Sequence, residues 1–227
     1  MLASALLQRV QDILQDTTGV RWPEAELLRY LNDAQREIVL HKPDASSSNE
    51  VIPLVAGTRQ QVPAGALRLL EVIRNMGING TTPGNVVTLI GRGVLDAQRR
   101  GWHAEDPAPE ADHYVFDARD PKTFYVYPPA SATPQQVEVI LSKAPVEVTA
   151  AGQEISLDEI YANIIMDYVL YRAYSKDADF AANLERALTH YQAVAAALGL
   201  KTQSSLLYSP RAASRDTRDA PSTSPPM

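Results

Sequence analysis

The spacing of apolar residues changes twice along the chain, and this change limits the folds that are open to it. Near both ends, apolar residues recur every three or four positions, as they do in helices that bury one face. Between these ends they alternate, or cluster in short β-branched and aromatic runs that are typical of strands. The pattern predicts an α+β fold, in which a helix bundle carries a β-rich insertion.

The helix bundle is assigned to residues 1–50 and 146–200. The first helix is predicted over about residues 2–16, and the second opens at Trp22-Pro23. A capping box at Ser156–Glu159 predicts the start of a third, and Gly199 is expected to end the last. From the helical seams we expect bundle or subunit packing to rest on Trp22, Leu27, Leu31, Tyr168, Tyr171, Leu184, Leu188 and Tyr191.

The β-rich insertion is assigned to residues 51–145. Runs 113–117 and 123–127 flank a five-residue Asp-Pro turn and predict a hairpin, with a further strand at 137–142. Short strands are also predicted at 51–56, where Pro53 indicates a sheet edge, and at 59–62 and 86–90. The segment 67–73 fits either a buried strand or a short helix.

The C-terminal segment, residues 201–227, is rich in Ser, Thr and Pro and is predicted to be an extended arm. Because ordering a residue costs about 1–2 kcal/mol of backbone entropy, we expect this arm to need a partner surface. The arm has four basic and two acidic residues, so its charge is +2. Because the whole chain has a net charge of −6, the remaining residues carry −8. An acidic body binds nucleic-acid phosphates poorly. DNA could therefore slide past such a surface without binding to it.

Composition excludes several classes of site. The chain has no cysteine, so disulfides, thiolate metal sites and cysteine nucleophiles are excluded. No segment approaches the roughly 20 apolar residues of a membrane span, and we expect a soluble intracellular product without membrane contact. The glycines between 77 and 93 lack the lysine and hydroxyl of a phosphate loop and are interpreted as turn residues.

No sequence motif in the chain strongly indicates a catalytic or binding site, and no cofactor, metal or catalytic residue is predicted. A metal site is the less favoured interpretation of five loop residues whose spacing fits no compact motif: His103, Glu105, Asp106, Asp112 and His113. Two alternatives stay open, a hydrolase that uses His103 and His113, and a helix-turn-helix DNA reader over residues 178–198. Tyrosines at helical spacing could stack on bases, but core or interface packing explains them better.

The stretch LYRAYSKDADFAAN, residues 170–183, is interpreted as a tight corner between two bundle helices. Asp177 is placed to cap the second helix, and the alanines at 178, 181 and 182 allow close helix approach. The segment is predicted to hold a rigid corner and to carry no chemistry.

Three segments, in order, resemble tailed-phage head-to-tail adaptor (connector) proteins of the short-tailed phage type. They are WPEAELLRYLNDAQREI from Trp22, DPKTFYVYPP from Asp120 and DYVLYRAYSKD from Asp167, the last followed by Asn183 and Arg186-Ala187. The resemblance spans roughly residues 1–200 and rests on the set, because no single motif is strict. It implies that the helix bundle is of the up-down type, and that the chain is a structural virion protein made in the host bacterial cytoplasm.

The resemblance also implies partners. Such adaptors form a ring, expected to be twelve-fold, between the portal protein and the tail nozzle protein, with fibres or spikes attached nearby and genomic DNA passing through the lumen. Their C-terminal arm docks on the portal, and here we assign that contact to Leu206, Leu207, Tyr208, Pro210 and Arg211. A tail-facing surface of the insertion is assigned to Tyr114, Phe116, Phe124, Tyr125 and Tyr127. Another neck or tail-tube protein is the nearest alternative.

Overall fold

The structure, a computed structural model, describes residues 1–176 and 181–208, and the side chains of all of these except residues 181 and 200–208. Its helices are α1 (Ala3–Leu14), α2 (Glu24–His41), α3 (Arg92–Gln98), α4 (Ala162–Lys176) and α5 (Ala181–Tyr208). Its strands are β1 (Ser47–Leu54), β2 (Gly57–Gln61), β3 (Ala66–Asn75), β4 (Thr88–Leu89), β5 (His113–Phe116), β6 (Thr123–Ala130) and β7 (Gln135–Lys143). The predicted α+β fold class is confirmed.

The chain divides into two compact units. The helical unit joins Met1–Lys42 to Val146–Met227, as far as the latter is described, and the β unit is Pro43–Pro145. The first strand, β1, begins at Ser47, so the boundary drawn at residue 50 from the sequence falls inside a strand.

Helix α4 lies at the centre of the helical unit, where α1, α2 and α5 all pack against it. The predicted seam of α2 is confirmed, because Leu27, Leu31, Ala34 and Ile38 are all buried. Trp22, just before α2, is also buried, and its indole Nε1 donates to the Ala173 carbonyl of α4 at 3.1 Å. Burial of one apolar stripe against a central helix is the usual source of helical stability in a globular unit.

Two local predictions for the helical unit are wrong. Ser156 does not cap a helix: its hydroxyl donates to the buried Gln35 side chain at 2.9 Å, and Asp158 caps the short 3-10 turn that precedes α4. Nor does Gly199 end α5, which continues to Tyr208. A glycine within a helix costs only about 1 kcal/mol, and no proline follows before Pro210. Residues 201–208 are therefore helical and not extended.

The β unit contains two sheets, with strand orders β1-β7-β3 and β2-β6-β5-β4. The predicted hairpin is confirmed as the antiparallel pair β5–β6. The edge position of Pro53 is also confirmed, since β1 lies at the edge of its sheet. The ambiguous run 67–73 is part of strand β3, and the strand predicted at 137–142 lies in β7, between β1 and β3.

One apolar core joins the two sheets. Leu69 and Val139 enter it from the three-stranded sheet and Phe124 and Val126 from the four-stranded sheet, and each of these side chains is buried. The buried Asn75 sits at its border, where its amide Nδ2 donates to the Ala111 carbonyl at 2.9 Å and its Oδ1 accepts from the Ala111 amide at 3.0 Å. That side chain fastens the 105–112 loop to the end of β3.

Candidate functional site

Aromatic side chains connect α4 and α5. The ring of Tyr171 meets Tyr168 edge-on at 5.7 Å and lies 5.0 Å from Tyr191. One turn further along, His190 stacks on Tyr174 at 5.8 Å and its Nδ1 is 2.9 Å from Asp167 Oδ1. Burial raises the pKa of the Tyr168 hydroxyl above its usual value. The ladder explains four of the tyrosines as packing residues.

Helix α5 has two apolar faces. Leu184 and Leu188, which were predicted to pack, lie on the face that points away from the rest of the helical unit. The residues buried against the unit are Ala187, Val194 and Leu198. By contrast, Leu184, Leu188 and Tyr191 remain 50%, 53% and 45% exposed. Leu184 and Leu188 therefore face away from the unit, whereas Tyr191 is partly exposed but still meets Tyr171 of α4. The use of these three side chains in subunit packing stays a prediction.

A groove of about 470 Å³ lies beside this exposed face, between the end of α2 and α5. Its lining is mostly apolar: Glu37, His41, Tyr191, Val194, Ala195, Leu198 and Gly199. At the rim of the groove, His41 Nε2 lies 3.2 Å from Glu37 Oε1. A mostly apolar lining of this kind is typical of a surface that contacts another protein.

A buried polar network ties the segment before α4 to α2. Asn32 Nδ2 donates to the Val148 carbonyl at 2.8 Å, and Asn32 Oδ1 accepts from the Val148 amide at 2.9 Å. Gln35, which is fully buried, bonds Asn32 and accepts from Ser156. Sequence reasoning missed this network, although two amide side chains beside an apolar seam were a usable signal for it.

The corner that precedes α2 is organised by Asp16. Its carboxylate accepts from the backbone amides of Val20, Arg21 and Trp22 at 2.8–3.0 Å. The bond from Trp22, with those from the other amides, lowers the pKa of Asp16 below its ordinary value. Lys176, at the end of α4, donates to the Glu26 carboxylate at 2.7 Å and to the Arg21 carbonyl at 3.1 Å.

The stretch 170–183 forms the transition from α4 to α5, as predicted, with α4 ending at Lys176 and α5 beginning at Ala181. Its residues 177–180, which include the proposed cap Asp177, lie outside the described residues.

Among known protein families, the one described as SU10 adaptor protein matches residues 1–219, nearly the whole chain. The chain belongs to the SU10 adaptor protein family. No curated protein matches it. The resemblance to phage head-to-tail adaptors is confirmed, and the protein is a structural adaptor and a virion component of a bacteriophage.

The aromatic residues that were assigned to a tail-facing surface of this adaptor mostly build its β unit. Tyr114 and Phe124 are buried in the shared core, and Tyr127 packs with the buried Trp102. The other two, Phe116 and Tyr125, are partly buried against the same clusters. The buried rings of Tyr114, Phe124 and Tyr127 offer little surface to a partner. For Phe116 and Tyr125, which are partly exposed, a tail-facing contact stays a prediction.

The histidines once weighed for chemistry in this adaptor make separate local contacts. His103 stacks on Trp102 at 3.6 Å and its Nδ1 is 2.8 Å from the Thr58 hydroxyl. His113 Nδ1 is 2.6 Å from the Thr88 hydroxyl. Within residues 1–176 and 181–208, no three His, Asp or Glu side chains are grouped as a metal site would require. In the same part of the chain, no helix is long and apolar enough to span a membrane.

The arm residues of the adaptor are described only in part. Leu206, Leu207 and Tyr208 form the last turn of α5, by backbone position. Pro210 and Arg211 lie outside the described residues.

Proposed function

We propose that this adaptor works as a ring of identical copies, twelve-fold as in the proteins it resembles, which joins the portal to the tail nozzle and continues the DNA channel. The observation that carries the proposal is the family match over residues 1–219. A ring of this kind works by docking and self-association and needs no catalytic group.

The charge of the chain supports a position around passing DNA. Residues 146–200 contain eight acidic and three basic residues, and the chain before residue 201 carries −8 in all. Because DNA affinity comes mainly from Lys and Arg that displace counterions, such a body binds phosphates weakly. A channel wall of this composition lets DNA pass, with no sequence-specific contact.

The C-terminal segment supports docking on the portal. It begins within α5 and continues beyond Tyr208, where the described chain ends. Leu206, Leu207 and Tyr208 supply apolar groups worth about 1.5–3 kcal/mol each when buried, and Arg211 adds a cation to a segment of charge +2. We assign portal contact to these four residues and Pro210. Tail fibres or spikes are further candidate partners of the ring.

Two truncations test the portal contact. Deletion of 209–227 keeps all of α5, whereas deletion of 201–227 also removes its last two turns. We expect both proteins to fold and both to lose binding to purified portal rings. The fluorescence of Trp22 and Trp102, one buried tryptophan in each unit, checks the folding. If the shorter protein binds portal rings as well as the full chain does, the arm assignment is wrong.

Imaging of particles tests the ring itself. A twelve-fold ring in contact with the portal is the expected result. A ring that contacts only tail proteins would favour the neck or tail-tube alternative, and a single copy per particle would exclude a ring of either kind.

A further inference from the structure

The outward face of α5, formed by Leu184, Leu188, Tyr191 and Ala195, is apolar and solvent-exposed in the single chain. From Ala187 through Leu200 the sequence contains no Asp, Glu, Lys or Arg. A helix that is apolar on nearly all sides is normally buried on nearly all sides. Since α4 covers only one side of α5, the outward face calls for a second partner.

The spacing and charge of this face indicate a protein helix as that partner. Its side chains follow a 4-3-4 spacing, the pattern of a helix seam, and Ala195 and Ala196 are exposed small residues that allow close approach. The lack of basic residues argues against DNA or an anionic lipid surface. Its three large side chains expose roughly 300 Å², the size of a patch that is often functional, and the groove beside α2 extends it.

A complementary face lies on α1 of the same chain. Leu2 and Ile13 are each 46% exposed. The exposed Arg9 lies between them, because helical spacing puts positions 2, 9 and 13 on one face. The charges also complement each other, because Glu185 flanks the outward face of α5. Within the described residues Arg9 has only a long bond, 3.4 Å, to the Asn163 amide oxygen, and neither Arg9 nor Glu185 forms an ion pair.

We propose that the outward face of α5 in one copy packs against the α1 face (Leu2, Arg9 and Ile13) of a second copy. The two faces differ, so the contact is heterologous and generates a closed ring when the rotation between copies closes. The inference rests on the proposed ring and names the contact that builds it. Arg9 and Glu185 then pair across the rim and fix the register.

Cross-linking tests the contact directly, since the chain has no cysteine of its own. In concentrated full-length protein under mild oxidation, a mixture of Leu188→Cys and Ile13→Cys should give disulfide-linked dimers, and one chain carrying both changes should give a ladder. The matched control is Leu188→Cys mixed with Val86→Cys, whose side chain is 68% exposed in the β unit. Self-linking of Leu188→Cys at the yield of the mixture would overturn the proposal in favour of a symmetric α5 contact. A yield no higher than the control would overturn it in favour of another protein.

Charge reversal tests the register. Glu185→Arg should lower the cross-linking yield of the mixture roughly two- to fivefold, as expected for an exposed ion pair, and adding Arg9→Glu should restore it. Failure to restore the yield would contradict the pairing. This test and the portal-binding test can fail independently. Loss of portal binding while the ladder of disulfide-linked oligomers still forms would contradict the portal assignment alone. Portal binding without that ladder would contradict the contact between α5 and α1 alone.

Discussion

Asn32 is the side chain whose replacement we expect to destabilise the helical unit most for its size. In Asn32→Leu, the amide and the carbonyl of Val148 and the side-chain Nε2 of Gln35 all lose this partner, and all three bonds are buried. Leaving a buried polar group unpaired costs about 1–3 kcal/mol. Three such groups, less the gain from the added apolar side chain, give an expected loss of about 2–6 kcal/mol in the free energy of unfolding.

Urea unfolding followed by Trp22 fluorescence measures this loss. A Trp102→Phe background removes the signal of the β unit, so the remaining tryptophan reports the helical unit. With a slope of about 1–3 kcal/mol per molar urea, the midpoint should fall by roughly 1–3 M. Asn163→Leu is the matched control, because Asn163 is exposed and, among the described residues, its side chain bonds only Arg9, at 3.4 Å. The effect of this control should stay within about 0.5 kcal/mol. Equal midpoints for the two variants would refute the reasoning.

Three further changes have expected outcomes. Asp16→Asn should lower the free energy of unfolding at neutral pH, and this difference from the parent protein should vanish in acid. Because folding lowers the pKa of Asp16, its carboxylate stabilises the protein above the pKa of the unfolded state. That stabilisation is lost as the pH falls through the pKa of the folded state. Thermal melts across pH check this. Asn75→Ala should destabilise the β unit by about 2–4 kcal/mol, because the amide and the carbonyl of Ala111 lose their partner. Unfolding followed by Trp102 fluorescence measures this, and an unchanged free energy of unfolding would contradict the role of Asn75 in holding the 105–112 loop. Burial, and then the bond to Glu26, raise the pKa of Tyr30 to about 12, so Glu26→Gln should lower it in an ultraviolet titration, and an unchanged value would leave burial as the whole cause.

The buried face of α2 could be predicted from the sequence because its apolar residues form one stripe. Leu27, Leu31 and Ile38 occupy one side of the helix, and charged residues occupy the other. With a single apolar stripe, only one orientation buries it. The β5–β6 hairpin was equally local, since two strand-forming runs and the turn between them lie within fifteen residues.

Helix α5 shows where local pattern stops being sufficient. It carries two apolar stripes, and spacing alone does not say which of them meets α4 and which remains for another chain. Packing in three dimensions buried Ala187 and Val194 and left Leu188 exposed. The aromatic run of β6 shows the same limit, because whether a ring faces the core or a partner depends on which sheet lies opposite.

The sequence by itself determined the fold class, the hairpin, the packing stripe of α2 and the family, all of which depend on residues near each other in the chain or on the motif set as a whole. Only the tertiary structure decided the partners of distant polar groups. Asn32 meets Val148 across 116 positions, and Ser156 meets Gln35 across 121. A side chain's hydrogen-bond partner at such separation is set by how the helices pack, because a local capping bond competes with a buried acceptor that only the folded unit brings within reach.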